Sequence, residues 1–478
     1  MGKFNSAAAT NKTTNLAGGK AYAMTPELEL VSALLTSFLE DKFYQKGSDR
    51  ITAITTAFGK VDPLFAAKAA IYARNEFGMR SVSHVVAGTI AGTVKGEEWT
   101  KRFFDQIVRR PDDMAEILSY YYANHGKNEP QAMRKGFRAA FARFDEYQLA
   151  KYRMTGKEIN LVDIANLVHP AHSEAIAKLI RGELKNVDTF ESKLSAAGKS
   201  KSDNAKGEAW GELLQSGKLG YMALLRNLRN IAEQAPEHAH LAAEQLVDEK
   251  KLRKSLVLPF RFISAADELK GISGKPAKLL LSAIGDALDM SVKNIPRFDG
   301  ETVVMIDKSG SMRGDTIKRA ALFAAMFVKA NQSDVILWDN SAEYVNLNPR
   351  DSVTSIAQNI IGSIQSMGGT DISAPFREAN QRYDRILILT DEQSWGRSSY
   401  GYGYGGMVSG PSALEAYRKR YNADPMLYNW DLQGYGSLQF PEQMVATLAG
   451  WSDKMFDIMK LVETDKQALV NTIKAIEI

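Results

Sequence analysis

The sequence contains no cysteine among its 478 residues. Disulfides, thiolate metal sites and a cysteine nucleophile are therefore excluded. The absence fits a reducing, cytoplasmic setting. Histidine is scarce, at six residues. None lies near the acidic motif described below, which argues against zinc there. No stretch reaches the roughly 18 apolar residues that a membrane span needs. The first 20 residues, MGKFNSAAATNKTTNLAGGK, are small and polar and lack the apolar core of a secretory signal. No membrane partner is expected.

What is present is enough for a large folded protein. Hydrophobic residues make up 45% of the chain and charged residues 24%, which suits several domains with sizeable cores. The net charge of +4 is unevenly spread. Residues 297–478 hold 18 Lys and Arg against 22 Asp and Glu, leaving 42 against 34 in residues 1–296. A basic first part and an acidic second part suggest two domains with different partners.

After an N-terminal extension (1–24), residues 25–296 read as one helix after another. TPELELVSALLTSFLEDKFY opens with Thr25 as an N-cap and Pro26 at the first helical position. Apolar residues then recur at helical spacing. Similar segments follow, among them DPLFAAKAAIYARNEF, AMRKGFRAAFARFDEYQLAKYR, LGYMALLRNLRNIAEQ and HAHLAAEQLVDEKKLRKS. No strict sequence period is visible. The residues alone leave open an irregular all-helical domain or a solenoid of degenerate helix pairs. The polar stretch 186–209 reads as a solvated insertion.

The pattern changes at Pro296. Apolar strands at 301–307, 333–339 and 384–391 alternate with helices at 315–331 and 352–364. This predicts a mostly parallel, doubly wound α/β sheet over residues 297–478. Ligands of such sheets sit at the carboxyl ends of the strands. There, MIDKSGSMRGDT places Asp307, Ser309 and Ser311. SMGGTDIS supplies Thr370, and Asp391 follows a later strand. A carboxylate with hydroxyls and waters is a hard-cation site. Mg²⁺ is the expected ion, with Mn²⁺ or Ca²⁺ as substitutes. The alternative is that the same residues only cap turns. The pattern resembles the metal-ion-dependent adhesion site of von Willebrand factor A domains, Asp-x-Ser-x-Ser, then Thr, then Asp. That resemblance implies an open metal position that accepts a partner's carboxylate. Tyr400, Tyr402 and Tyr404 follow in a glycine-rich stretch that could touch a partner or serve as a spacer.

The helical half offers basic candidates. Arg226 and Arg229 in LLRNLRNI share a helix with Asn227 and Asn230, either as a phosphate-binding surface or as braces for a neighbouring helix. Arg134 and Arg138 lie one turn apart. Lys250, Lys251 and Arg253 form a short basic run, and His169 precedes Pro170 at a turn. Phe137, Phe141 and Phe144 read as core.

NLAGGKAY (15–22), LVHPAH (167–172), LLRNLRNI and LPFRFISA (258–265), followed by this A domain, resemble the Ro autoantigen family, as a bacterial or phage-type relative. The resemblance covers about residues 15–478. It implies a TROVE domain of HEAT-like helical repeats closed into a ring by the A domain. It also implies small structured noncoding Y RNAs on the outer basic surface and single-stranded 3′ ends of misfolded RNAs in the central hole. Bacterial relatives associate with a 3′→5′ exoribonuclease, polynucleotide phosphorylase, through a Y-like RNA. RNA contact carries over to His169, Arg226 and Arg229; the other basic residues rest on charge alone. A ring made by one chain would be monomeric. The competing readings are a protein-interaction scaffold without RNA and an RNA-processing enzyme. The second lacks the paired, carboxylate-rich metals of a nuclease.

Overall fold

The computed structural model describes residues 12–16, 18, 20–37, 47–154, 156–184, 190–199, 204–217, 219–255, 257, 259–292, 295, 297–394, 408–441, 444–450, 454–462, 465 and 467–478. The glycine-rich stretch with Tyr400, Tyr402 and Tyr404 lies outside them. Two short strands, β1 (Lys12–Thr14) and β2 (Lys20–Ala23), precede a long run of helices from Pro26 to Val292. The second part contains β3 (Thr302–Asp307), β4 (Asp334–Trp338), β5 (Ala342–Val345), β6 (Arg385–Thr390), β7 (Met426–Asp431), β8 (Ser437–Leu438) and β9 (Ala446–Ala449). An all-helical repeat region is thus followed by a doubly wound α/β domain, the expected fold class.

The main sheet has the order β5-β4-β3-β6-β7-β9. It is parallel except for β5, which runs antiparallel to β4. Every residue of β3 and β6 is buried, as parallel strands covered on both faces require. Their side chains alternate between two cores. Val303, Met305, Ile386 and Ile388 face one. Val304, Ile306, Leu387 and Leu389 face the other, which continues without a break into the helical region. Helix Asp315–Asn331 of the α/β domain covers this face over β3 and β4, and the helical region packs beyond it.

Both ends of the helical run dock on this domain. At the start, helix Pro26–Thr36 packs on β9, and helix Pro63–Glu76 packs on the last helix, Ala468–Lys474. Lys68 Nζ donates to the Lys474 carbonyl (2.7 Å). At the end, helix Lys275–Val292 packs on helices Asp315–Asn331 and Val353–Gly362. Asp289 there accepts from Val353 N (2.9 Å) and pairs with Lys329 (3.1 Å). The helical run leaves the α/β domain and returns to it, so the chain closes into a ring.

Within the helices, Thr25 caps the first as expected, accepting from Leu28 N. Several long helical segments are broken where the sequence offers a cap. AMRKGFRAAFARFDEYQLAKYR divides into Gln131–Phe141 and Glu146–Lys151, because Asp145 N-caps the second through Gln148 N. HAHLAAEQLVDEKKLRKS divides at Asp248, which accepts from Lys251 N. Within the stretch 186–209, helix Phe190–Lys199 is present and helix Ala205–Gln215 begins.

A single buried carboxylate organises the first helices. Asp113 is completely buried and accepts five hydrogen bonds. Arg80 Nε (2.7 Å) and His84 Nε2 (3.1 Å) reach Oδ1. Arg74 Nη2 (3.0 Å) and the backbone N–H groups of Arg109 and Arg110 (2.9 Å each) reach Oδ2. Burial alone would raise its pKa. The His84 hydrogen bond and the Arg74 charge overcome that and hold it far below the usual carboxylate range.

Candidate functional site: the carboxyl edge of the sheet

Four strands of the sheet end in, or run directly into, aspartate: Asp307 and Asp431 are the last residues of β3 and β7, and Asp339 and Asp391 directly follow β4 and β6. Side-by-side parallel strands bring these acids to one edge. Each does a different job.

Asp307 and Asp391 are both completely buried. Asp307 Oδ1 accepts from Ser309 N (2.8 Å), and its Oδ2 accepts from Thr390 Oγ1 (2.8 Å). Ser309 Oγ and Ser311 Oγ lie 3.2 Å apart. Thr370 is buried beside them on the next loop, tied in by a Gly310 N–H bond to the Gly368 carbonyl (3.0 Å). Asp391 Oδ1 accepts from Gln393 N (3.1 Å), the Ser311 hydroxyl also acts on this carboxylate, and Oδ2 is buried with no hydrogen-bond partner among the described residues. Loops carrying all five predicted residues thus meet at the edge.

The electrostatics of this edge disfavour charge on both carboxylates. Burial raises the Asp307 pKa, against the hydrogen bonds from Ser309 and Thr390. Burial, followed by the Asp307 charge, raises that of Asp391. The nearest basic side chain in sequence, Lys308, is turned away toward Asp339 (3.7 Å) and Glu343 (3.3 Å). Among the described residues, no three His, Cys, Asp or Glu side chains converge as a metal-binding group. The set here is two carboxylates and three hydroxyls, and its orphaned carboxylate oxygen fits a hard divalent ion, not a soft one.

Asp339 was not singled out in the sequence, although β4 has the same apolar-then-aspartate pattern as β3 and β6. Its Oδ2 accepts from Gly368 N (3.0 Å), and its carbonyl accepts from Asp371 N (2.9 Å), so it shapes the loop that carries Thr370. That loop passes so close to Asn340 that a Cβ on Gly369 would lie 2.7 Å from Asn340 Oδ1. This explains the glycine pair before Thr370. Asp431 serves the interface: it accepts from Ser32 Oγ of the first helix and from the N–H groups of Gln433 and Gly434. Alongside it, buried Arg50 reaches the Gly434 carbonyl (3.3 Å).

The basic candidates do not gather into one group of free cations. Arg134 donates to the Leu167 carbonyl (2.7 Å from Nη2) and Arg138 to the Val168 carbonyl (2.6 Å). Both close the C-terminus of helix Leu161–Val168. His169 follows in the left-handed conformation (φ 48°) and is exposed. LLRNLRNI is two helices, not one, broken at Asn227. Asn227 Nδ2 bonds the Ala223 carbonyl and its Oδ1 accepts from Asn230, so both asparagines brace the break. Arg229 is half exposed and pairs with Glu233 (3.2 Å) and Glu268 (3.3 Å). Arg253 pairs with Glu249 (2.7 Å), and Lys251 reaches the Gly217 carbonyl (3.4 Å). Arg226 and Lys250 are exposed and form no ion pair among the described residues. Phe137, Phe141 and Phe144 are core, as expected.

The architecture is that of a helical-repeat ring closed by a doubly wound α/β domain. A family model for the TROVE domain matches residues 29–205 and 165–307. The chain belongs to the TROVE-domain family, a family of RNA-binding ribonucleoprotein components. The crystal structure of the Deinococcus radiodurans Ro (Rsr) protein shares the fold. Its TM-score is 0.58 at 18% identity, over 90% of this chain and 98% of that one. Telomerase protein component 1 of rat and of mouse are each 24% identical over 46% of this chain. The match spans only 12% of the length of those relatives. No described helix is long and apolar enough to cross a membrane.

Proposed function

We propose that this chain is a noncatalytic, cytoplasmic RNA-binding ring. It binds a small structured, Y-like noncoding RNA on its basic helical surface. Its central cavity takes the single-stranded 3′ ends of misfolded RNAs. The observation that carries this reading is the TROVE match along a helical run whose two ends both dock on the α/β domain. A closed ring selects by shape. An unpaired strand can thread where a duplex cannot, and phosphate contacts supply affinity without a sequence code. Arg226, Lys250 and His169 project from the surface and are available to phosphates or bases. Arg134 and Arg138 act mainly by setting the turn that presents His169. Arg229, Lys251 and Arg253 must exchange protein partners for phosphate, so each contributes less. Through the bound Y-like RNA the ring would recruit a 3′→5′ exoribonuclease of the polynucleotide phosphorylase type.

The same reading places one Mg²⁺, replaceable by Mn²⁺ or Ca²⁺, among Asp307, Ser309, Ser311, Thr370 and Asp391. Bound there, the ion would supply an open coordination position for an acidic ligand. Asp307 is fixed by Thr390 and Ser309, and the Thr370 loop by Asp339, so the oxygens are held in place before any ion arrives.

The test is binding to two labelled RNAs that share a duplex, one blunt and one with a single-stranded 3′ tail, titrated from low to physiological salt. Tail-dependent, salt-sensitive binding that weakens in an Arg226→Ala/Arg229→Ala variant supports the ring reading. Equal weak binding of both RNAs, unchanged in the variant, leaves a protein-interaction scaffold as the better account.

A further inference from the structure

The N-terminal hairpin is the feature that the reading above does not use. β1 and β2 form an antiparallel pair, and β2 pairs in turn with β8, Tyr22 opposite Leu438 and Ala23 opposite Ser437. The hairpin of residues 12–23 is thereby joined to the α/β domain through β8. At the turn of the hairpin, Asn15 is buried. Its side-chain amide donates to the Ser394 carbonyl (2.8 Å) and, more weakly, to the Glu392 carbonyl (3.4 Å).

Those two carbonyls belong to the loop that leaves Asp391. The loop is not relaxed: Glu392, which is not glycine, sits in the left-handed region at φ 63°. Such a conformation persists when surrounding bonds over-determine it. Asn15 holds the loop from one side. On the other, Gln393 Nε2 lies 3.5 Å from Ser437 Oγ, and Ser437 is the residue paired with β2. The loop then passes the constraint onward, because Ser394 Oγ donates to the Thr370 carbonyl (3.1 Å). A continuous series of contacts runs from Asn15 through Ser394 to Thr370, with Asp391 at the start of the held loop. It joins residues nearly 380 positions apart in sequence.

We propose that Asn15 is a positioning residue for the divalent cation, and that docking of the N-terminal hairpin on β8 sets cation affinity at the carboxyl edge. The inference rests on the cation reading above. Asn15 touches no ion. It fixes the backbone that aims Asp391 and fastens that backbone to the Thr370 loop. Ser394 is one hydrogen bond from the Thr370 backbone and Asn15 acts through it; partners that orient ligands in this way change metal affinity by about 10–100-fold. By linkage, an ion at the edge tightens the hairpin's docking by the same factor.

The experiment uses the full-length protein and titrates Mn²⁺, following the free ion by electron paramagnetic resonance. Thermal unfolding in EDTA is measured in parallel. Wild type is expected to bind one ion and Asp307→Ala none. Asn15→Ala is expected to bind at least tenfold more weakly while its unfolding midpoint in EDTA stays within a few degrees of wild type. Ser394→Ala, which cuts the link to Thr370 without touching the hairpin, is expected to weaken binding in the same direction and serves if Asn15→Ala does not fold. Wild-type affinity in both variants, with Asp307→Ala inactive, overturns the positioning role and leaves the cation site standing. A midpoint in EDTA that falls in proportion to the affinity makes Asn15 merely structural and also overturns it. A wild type that binds no Mn²⁺ removes the cation reading and this inference with it.

Discussion

The two halves of the molecule bury the same side chain to opposite ends. Asp113 in the helical half and Asp391 in the α/β half are both completely shielded from solvent. Asp113 meets two arginines, a histidine and two backbone N–H groups, and both its oxygens are satisfied. Asp391 meets Asp307 at close range and keeps one oxygen without a partner. A buried carboxylate that the protein itself neutralises is part of the framework. One that the protein leaves short of positive charge is a candidate to take a group from outside, as the cation reading proposes. The basic half, by comparison, spends many of its cations on its own carbonyls and carboxylates.

The largest expected effect comes from removing the framework carboxylate. Asp113→Ala removes the shared acceptor of Arg74, Arg80 and His84 and leaves Arg80 only Asp112 and Glu116, at a cost of about 3–5 kcal/mol. Denaturant unfolding of the purified variant measures it, and a loss below about 1 kcal/mol would erase the distinction between the two halves.

Opposite pH slopes follow next. The lowered pKa of Asp113 makes its contribution full above the ordinary carboxylate range and lost as pH falls through and below it. Asp307 and Asp391 have raised pKa values, so the folded state binds more protons than the unfolded state above about pH 4. Without a cation, their contribution therefore worsens as pH rises from about 4 toward neutrality. In EDTA, Asp391→Asn is expected to be at least as stable as wild type near pH 8, whereas Asp113→Asn is expected to be less stable at the same pH. Melting curves across pH 4 to 8 separate the two.

A smaller effect concerns the turn at His169. Arg134→Ala and Arg138→Ala each remove a guanidinium from the end of helix Leu161–Val168 and should cost about 1 kcal/mol in stability. His169→Ala should leave stability nearly unchanged and weaken RNA binding. The smallest change is expected from Lys250→Ala. If it contacts one phosphate, the salt slope of RNA affinity falls by about one unit, read from binding at several salt concentrations.

Much of this was legible in the sequence. Strand-and-helix alternation gave the α/β domain, and the five oxygen-bearing positions of the edge carry a spaced motif with a strong register constraint. The helical half was legible as helical, but not in its breaks. Asp145 and Asp248 are caps that a periodic apolar pattern hides, and Asn227 interrupts a stretch whose spacing reads as continuous. Two further contributions depended on partners far away in sequence. Asp339 is visible as one more aspartate at the end of a strand, but its bond to Gly368 is not. Asn15 lies in a polar N-terminal segment with no local signal for a partner near residue 394. For the arginines two uses stay open in the sequence for a physical reason: a guanidinium aimed at phosphate and one closing a helix end occupy the same kind of helical position.

The measurement that bears most directly on this contrast is the thermal unfolding of wild type at pH 5 and pH 8, each with EDTA and with millimolar Mg²⁺. A cation site built on the Asp307–Asp391 pair predicts that Mg²⁺ raises the midpoint at both values and by more at pH 8, where protons no longer compete for the carboxylates. A midpoint that Mg²⁺ does not move at either pH would contradict it, and would make Asp391 a buried acid stabilised by protonation alone.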